Sequence, residues 1–136
     1  MIALTDVLAA MAPAGARLIG APVASQFAGF AYDSRKLCPG ELFLAVRTAR
    51  ADGHEYVADA IRRGAAGVLG DRLNPDAALG VTTIVVDDTL FALRTWAQYV
   101  LTTYAPTVVA FVGSLGKSLA AKATVAALGG GEGGDP

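Results

Sequence analysis

What this chain of 136 residues lacks narrows its chemistry before any motif is found. It has one cysteine, Cys38, and one histidine, His54. An internal disulfide is thereby excluded, and so is a zinc site of the usual Cys/His kind. Charge is also scarce: 17% of residues are Asp, Glu, Lys or Arg, and the net charge is −1 with the two signs interspersed. Such a surface offers no basic stripe to follow a nucleic-acid backbone and no polybasic patch for a membrane, so neither is expected as a partner. Although 54% of residues are hydrophobic, no uninterrupted apolar run reaches the roughly 18 residues needed to span a bilayer. The opening "MIALTDVLAAMAPAGA" carries Asp6 where a signal peptide would be cationic, and reads as a helix capped by Thr5 or Asp6. Together these absences predict a soluble, cytoplasmic protein with room for one domain and a fragment of another.

What is present is an alternation of extended and helical segments, the pattern of an α/β layer structure. "ARLIG", "FAGFAYDS" and "ELFLAV" read as strands, the last entered through a Pro39-Gly40 turn. In "DGHEYVADAIRRGA" the residues Tyr56, Val57, Ala60 and Ile61 fall at helical spacing, with Asp52 placed to cap and Gly64 to terminate. "AAGVLG" and "VTTIVVDD" are further strands, and a long helix runs from an Asp88 cap to a stop before Pro106. "TVVAFVG" and "KSLAAKATVAAL" predict a last strand and helix, ahead of a glycine-rich tail. A domain boundary is expected near residues 104–106, because everything before it can close a core.

Two stretches carry candidate chemistry. The turn in "VVAFVGSLGKSLAA" matches Gly-x-x-Gly-Lys-[Ser/Thr] at Gly113, Gly116, Lys117 and Ser118, while Phe111 stands where a full Walker A motif needs glycine. Backbone amides, a helix N-terminus and Lys117 would cradle phosphate, with Ser118 as a Mg²⁺ ligand. The residues alone leave this open against a plain strand-to-helix turn. In the second stretch, Asp33, Ser34 and Arg35 end one strand and residues 47–54 end the next. If those strands are neighbours, a rim of hydroxyl, guanidinium and carboxylate groups forms, suited to an anionic ligand. The competing reading is a turn with a surface ion pair. Single-residue candidates are read structurally: His54 in a first helical turn, Cys38 beside a turn proline, and Asp87-Asp88 as strand end plus N-cap.

The succession "DSRK", "PGELFLAV", "ADGHEYVADAIRRGAAGVL", "VVDDTLFAL" and "VVAFVGSLGKS" resembles the N-terminal part of the Mur ligases, ATP-dependent enzymes that add amino acids to UDP-N-acetylmuramoyl peptides. The resemblance covers about residues 25–128 and is strongest to the members adding D-alanyl-D-alanine, followed by those adding the third residue. It implies a small mixed sheet flanked by helices over residues 1–104 and the first strand and helix of a truncated ATPase domain over 105–128. It also implies that Asp33, Ser34 and Arg35, with Thr48, Ala49 and Arg50, lie at the site for the UDP part of a UDP-N-acetylmuramoyl peptide. ATP and Mg²⁺ would be the cofactors of a full-length parent enzyme, and none would be required for this chain. Departures from the family pattern are Thr48, where glycine is usual and a left-handed backbone would be resisted, and a phosphate loop without its threonines. The metal-binding and third-domain groups of such ligases are not expected in this chain, so binding without ligation is the expectation. The alternative is a Mur-like pseudoenzyme or interaction module. Leu119, Val125 and Leu128 predict homodimerisation through the C-terminal segment.

Overall fold

The computed structural model describes residues 1–73, 80–105 and 107. Residues 1–105 form one compact unit. In chain order its elements are β1 (Ile2–Ala3), α1 (Leu4–Ala10), a 3₁₀ turn (Ala12–Ala14), β2 (Arg17–Ile19), β3 (Gln26–Phe27), β4 (Phe30–Ala31), a 3₁₀ turn (Ser34–Lys36), β5 (Leu42–Leu44), a 3₁₀ turn (Gly53–Tyr56), α2 (Val57–Arg62), β6 (Gly67–Gly70), β7 (Thr82–Val85) and α3 (Thr89–Tyr104). Five strands make the main sheet in the order β2-β7-β6-β5-β4, and β1 pairs with β3 separately. Strands β4 to β7 are parallel, and β2 runs antiparallel to β7 at the far edge. The mixed α/β architecture expected from the sequence is therefore the one observed.

The period-2 geometry of single strands builds the layers. Leu42 and Leu44 point to one face, where they join Leu69, Ile84, Val7 of α1, Met11 at its C-cap, and Ala92 of α3. Phe43 and Ala45 point to the other, against Val68 and against Val57 and Ala60 of α2. A strand buried on both faces has no polar alternation, which is why "LFLA" reads as a continuous apolar run. Each large side chain so enclosed contributes roughly 1.5–3 kcal/mol of burial free energy. Among the described residues no helix is long and apolar enough to cross a membrane.

Local departures from the sequence expectations have physical causes. Neither Thr5 nor Asp6 caps α1: the N-cap is Ala3, with no side-chain cap. Because Ile2 and Ala3 pair with Phe27 and Gln26, the chain leaves a strand directly into the helix, and the Leu4 N–H is taken by the Ser25 carbonyl at 2.9 Å. Asp6 still lies in the first turn, where its charge suits the helix dipole. "FAGFAYDS" is two short strands in different sheets, interrupted at Ala28-Gly29, where the Ala28 N–H turns to the Gly40 carbonyl at 2.9 Å. "ELFLAV" shortens to Leu42–Leu44. The helix after Asp52 begins as a 3₁₀ turn, and Asp52 caps it by accepting the His54 N–H at 3.0 Å. Gly64 ends α2 at φ +101°, where a β-carbon would be strained. The expected last strand and helix lie outside the described residues.

Candidate functional site

Because β4 to β7 are parallel, their carboxyl ends share one edge of the sheet, the edge at which open α/β sheets bind ligands. The chain places a polar or charged residue just beyond each end: Asp33 after β4, Arg47 after β5, Asp71 after β6 and Asp87 after β7. They divide between two cavities.

The first, of about 570 Å³, is lined by Tyr32, Asp33, Ser34, Arg35, Ala51, Tyr56 and Asp59. Asp33 is extended and caps the turn that follows, accepting the Arg35 N–H at 3.0 Å. The same carboxylate takes Arg35 Nε at 3.1 Å and Nη2 at 2.9 Å. The Arg35 guanidinium beside Asp33 holds its carboxyl below the usual carboxylate range, and Asp33 in return raises the arginine. This bidentate pair aims the guanidinium. Of its five donors two are used here, leaving Nη1 and one Nη2 hydrogen directed away from Asp33. Ser34 is buried at 4% exposure, and its hydroxyl, near Asp59 of α2, is the leading cause of that carboxyl's lowered pKa. Arg62 and Arg63 also hold Asp59, at 3.0 and 2.9 Å.

The second cavity, of about 410 Å³, is lined by Arg47, Thr48, Ala49, Asp71, Asp87, Asp88, Thr89 and Leu90. Its charges are spent internally. Arg47 pairs with Asp71, Asp87 with Arg17 at 3.1 Å, and Asp88 caps α3 by accepting the N–H groups of Leu90 and Phe91. Thr48 is consumed by its own loop: its hydroxyl accepts from the Ala51 N–H at 3.2 Å, and its N–H donates to the Ala51 carbonyl at 2.8 Å. The expected conflict with a left-handed backbone does not arise, since Ala105 alone among the described non-glycine residues has positive φ.

His54 ties this loop to the end of β6. Its ring is buried at 5% exposure, with Nδ1 2.6 Å from Asp52 Oδ1 and Nε2 accepting the Asp71 N–H at 3.2 Å. A backbone N–H can only donate, so Nδ1 carries the ring hydrogen toward Asp52. Arg72 grips the other Asp52 oxygen at 2.6 Å, and this, with the hydrogen bonds from His54, holds Asp52 far below the usual carboxylate range. Gly70 permits the approach, because a β-carbon there would lie 2.5 Å from Nε2. Asp71 Oδ1 is buried without a hydrogen-bond partner, with Arg72 Nη1 3.7 Å away to offset its charge.

The six residues expected at a nucleotide site therefore do not form one group. Asp33, Ser34 and Arg35 share the first cavity, Thr48 and Ala49 line the second, and Arg50 lines neither. Tyr32, Ala51, Tyr56 and Asp59 join the first cavity without having been expected there. One of them had a signal: Tyr32 adjoins the "DSR" triplet. Gly113, Gly116, Lys117 and Ser118 lie outside the described residues, as does the segment expected to dimerise. Among the described residues no group of three or more His, Cys, Asp or Glu could hold a metal ion.

Comparison with known proteins bears on the same region. The model of the Mur ligase family, catalytic domain, matches residues 26–99, more than half of the chain. The UDP-N-acetylmuramoyl-tripeptide D-alanyl-D-alanine ligase of Treponema pallidum is 38% identical over 93 residues, covering 62% of this chain and 20% of that ligase. The UDP-N-acetylmuramoyl-L-alanyl-D-glutamate 2,6-diaminopimelate ligase of Mesorhizobium japonicum is 40% identical over 96 residues, covering 71% of this chain and 20% of that one. This chain thus spans about one fifth of the length of these relatives. The crystal structure of MurF from Acinetobacter baumannii superposes with a TM-score of 0.66 over 76% of this chain and 22% of that one. At 23% identity this is a likeness of fold.

Proposed function

The chain belongs to the Mur ligase family, and from that premise we propose that residues 1–105 hold the uridine diphosphate end of a UDP-N-acetylmuramoyl peptide, as one part of an ATP-dependent amide ligase of peptidoglycan precursor synthesis in the cytoplasm. The observation that carries this reading is the first cavity. Asp33 aims Arg35 so that its remaining donors face outward in a planar fork, the geometry that suits a diphosphate. Beside it the Ser34 hydroxyl lines the same cavity. The second cavity, whose Arg47 is paired with Asp71 and whose Asp87 is paired with Arg17, offers a diphosphate no comparable fork. ATP and Mg²⁺ are assigned to Gly113, Gly116, Lys117 and Ser118 of the parent enzyme and have no part in this binding step.

Calorimetric titration of the chain with UDP-N-acetylmuramoyl-tripeptide tests the reading. Saturable binding is expected, weakened about tenfold or more in Arg35→Ala, since a charge-assisted hydrogen bond is worth roughly 1.5–3 kcal/mol. No saturable binding at millimolar ligand would overturn the proposal and leave the fold as an interaction module.

A further inference from the structure

We propose that Arg72 is a positioning residue for the first cavity, acting through Asp52 on the loop that carries Ala51 into the cavity wall. The inference rests on the nucleotide reading above for its effect on affinity, and on the geometry of the loop for the rest. Residues 46–53 form a miniature hairpin: the Gly53 N–H donates to the Val46 carbonyl at 2.8 Å, Arg47 and Asp52 face each other in an antiparallel bridge, and the Thr48 N–H donates to the Ala51 carbonyl at 2.8 Å. Thr48 Oγ1 closes the tip by accepting the Arg50 and Ala51 N–H groups at 3.3 and 3.2 Å. A hairpin so bonded to itself moves as one body, and a lone hairpin holds little to fix its own tilt. The fixing contacts come from the neighbouring strand.

Just beyond β6 stand two adjacent residues of opposite charge, Asp71 and Arg72, and the hairpin presents two facing residues of opposite charge, Arg47 and Asp52. Each meets its complement. Asp71 pairs with Arg47 on the entering arm, and Arg72 Nη2 donates to Asp52 Oδ2 at 2.6 Å on the leaving arm. The other Asp52 oxygen is occupied by His54, only two residues along, so Arg72 is the group that ties this carboxylate directly to a distant strand end. The two arms serve different cavities. Thr48, next to Arg47, lines the second, and Ala51, next to Asp52, lines the first. Arg72 lines neither cavity, and its side chain is 48% exposed. A half-exposed ion pair contributes little to global stability. Apparent affinity, by contrast, scales with the fraction of molecules whose loop completes the cavity wall, so a modest loss of hold shows in binding before it shows in melting.

Calorimetric titration of the full chain with UDP-N-acetylmuramoyl-tripeptide, melting curves and amide NMR spectra test the role together. Arg72→Ala is expected to weaken binding about threefold to fivefold, to leave the melting temperature near the parent's, and to shift the amide signals of residues 48–51. Arg72→Lys, which keeps a cation within reach of Asp52, is expected to return binding to within about twofold of the parent. A lysine variant as weak as the alanine one would overturn the proposal. In an Asp52→Asn background an acceptor for the His54 N–H remains but the charge is gone, so adding Arg72→Ala is expected to change binding less than about twofold. The full loss in that background would show that Arg72 acts other than through Asp52. If Arg72→Ala binds as the parent does, the positioning role is refuted and the nucleotide reading stands. If the parent shows no saturable binding, yet Arg72→Ala moves the signals of residues 48–51 and Arg72→Lys restores them, the nucleotide reading falls and the hold on the loop stands.

Discussion

The two cavities at the carboxyl edge of the sheet use the same residue types, arginine, aspartate and a hydroxyl, to different ends. Around Arg35 the carboxylate partner is a neighbour two residues away, so the ion pair spends two donors and points the rest outward. Around Arg47 the partner is Asp71, 24 residues distant and part of a chain that continues through His54 and Asp52 to Arg72. That pair joins β5 to β6 and aims nothing. Charged residues at a strand end thus differ in whether their ion pair leaves donors facing outward or is spent in joining two strands.

The largest expected effect breaks the fastener. His54→Ala removes a ring that is 5% exposed and strips the acceptor from the Asp71 N–H, so unfolding free energy should fall by about 2–4 kcal/mol in urea titration. A loss below about 0.5 kcal/mol would show that His54 does not hold the loop. A reciprocal pair sharpens the comparison further. Arg35→Ala should leave the melting temperature near the parent's, its side chain being 80% exposed, and should carry the affinity loss. Arg47→Ala should lower the melting temperature, by less than His54→Ala does, and leave nucleotide affinity within about twofold. The opposite assignment of the two losses would reverse the roles of the cavities.

The smallest effect is electrostatic. Asp33, Asp52 and Asp59 are all held below the ordinary carboxylate range, by Arg35, by Arg72 with His54, and by Ser34 with Arg63 respectively. The folded state therefore binds fewer protons than the unfolded one in acid. Their stabilisation is complete above the unfolded carboxylate pKa and is lost as pH falls through the lowered folded values. Urea midpoints should drop progressively from about pH 5 to about pH 2. In Asp52→Asn that slope should be shallower, and an unchanged slope would remove Asp52 from the account.

Much of this was legible in the one-dimensional pattern, residue by residue. "ELFLAV" was identifiable as a strand, and its Leu42–Leu44 centre is covered by α2 on one side and by α1 and α3 on the other. Asp52, Gly64 and Asp88 were identifiable as caps or terminators because those roles are local, set by hydrogen bonds two or three residues away. The cap of α1 was not, since β1 competes for the same residues through a partner more than 20 positions on. The first cavity was half visible: "DSR" marked one wall, while Tyr56 and Asp59 needed α2 to be laid beside β4.

By itself the sequence determined the class of fold, the Asp52 and Asp88 caps and the residues at the strand ends, all consequences of periodicity and short-range bonding. Only the tertiary structure decided which of those residues meet. It separated Asp33, Ser34 and Arg35 from Thr48 and Ala49, turned Thr48 inward on its own loop, and paired Arg47 across 24 residues with Asp71. The physical reason is the parallel sheet, whose register sets distant carboxyl ends side by side at spacings that no local pattern records.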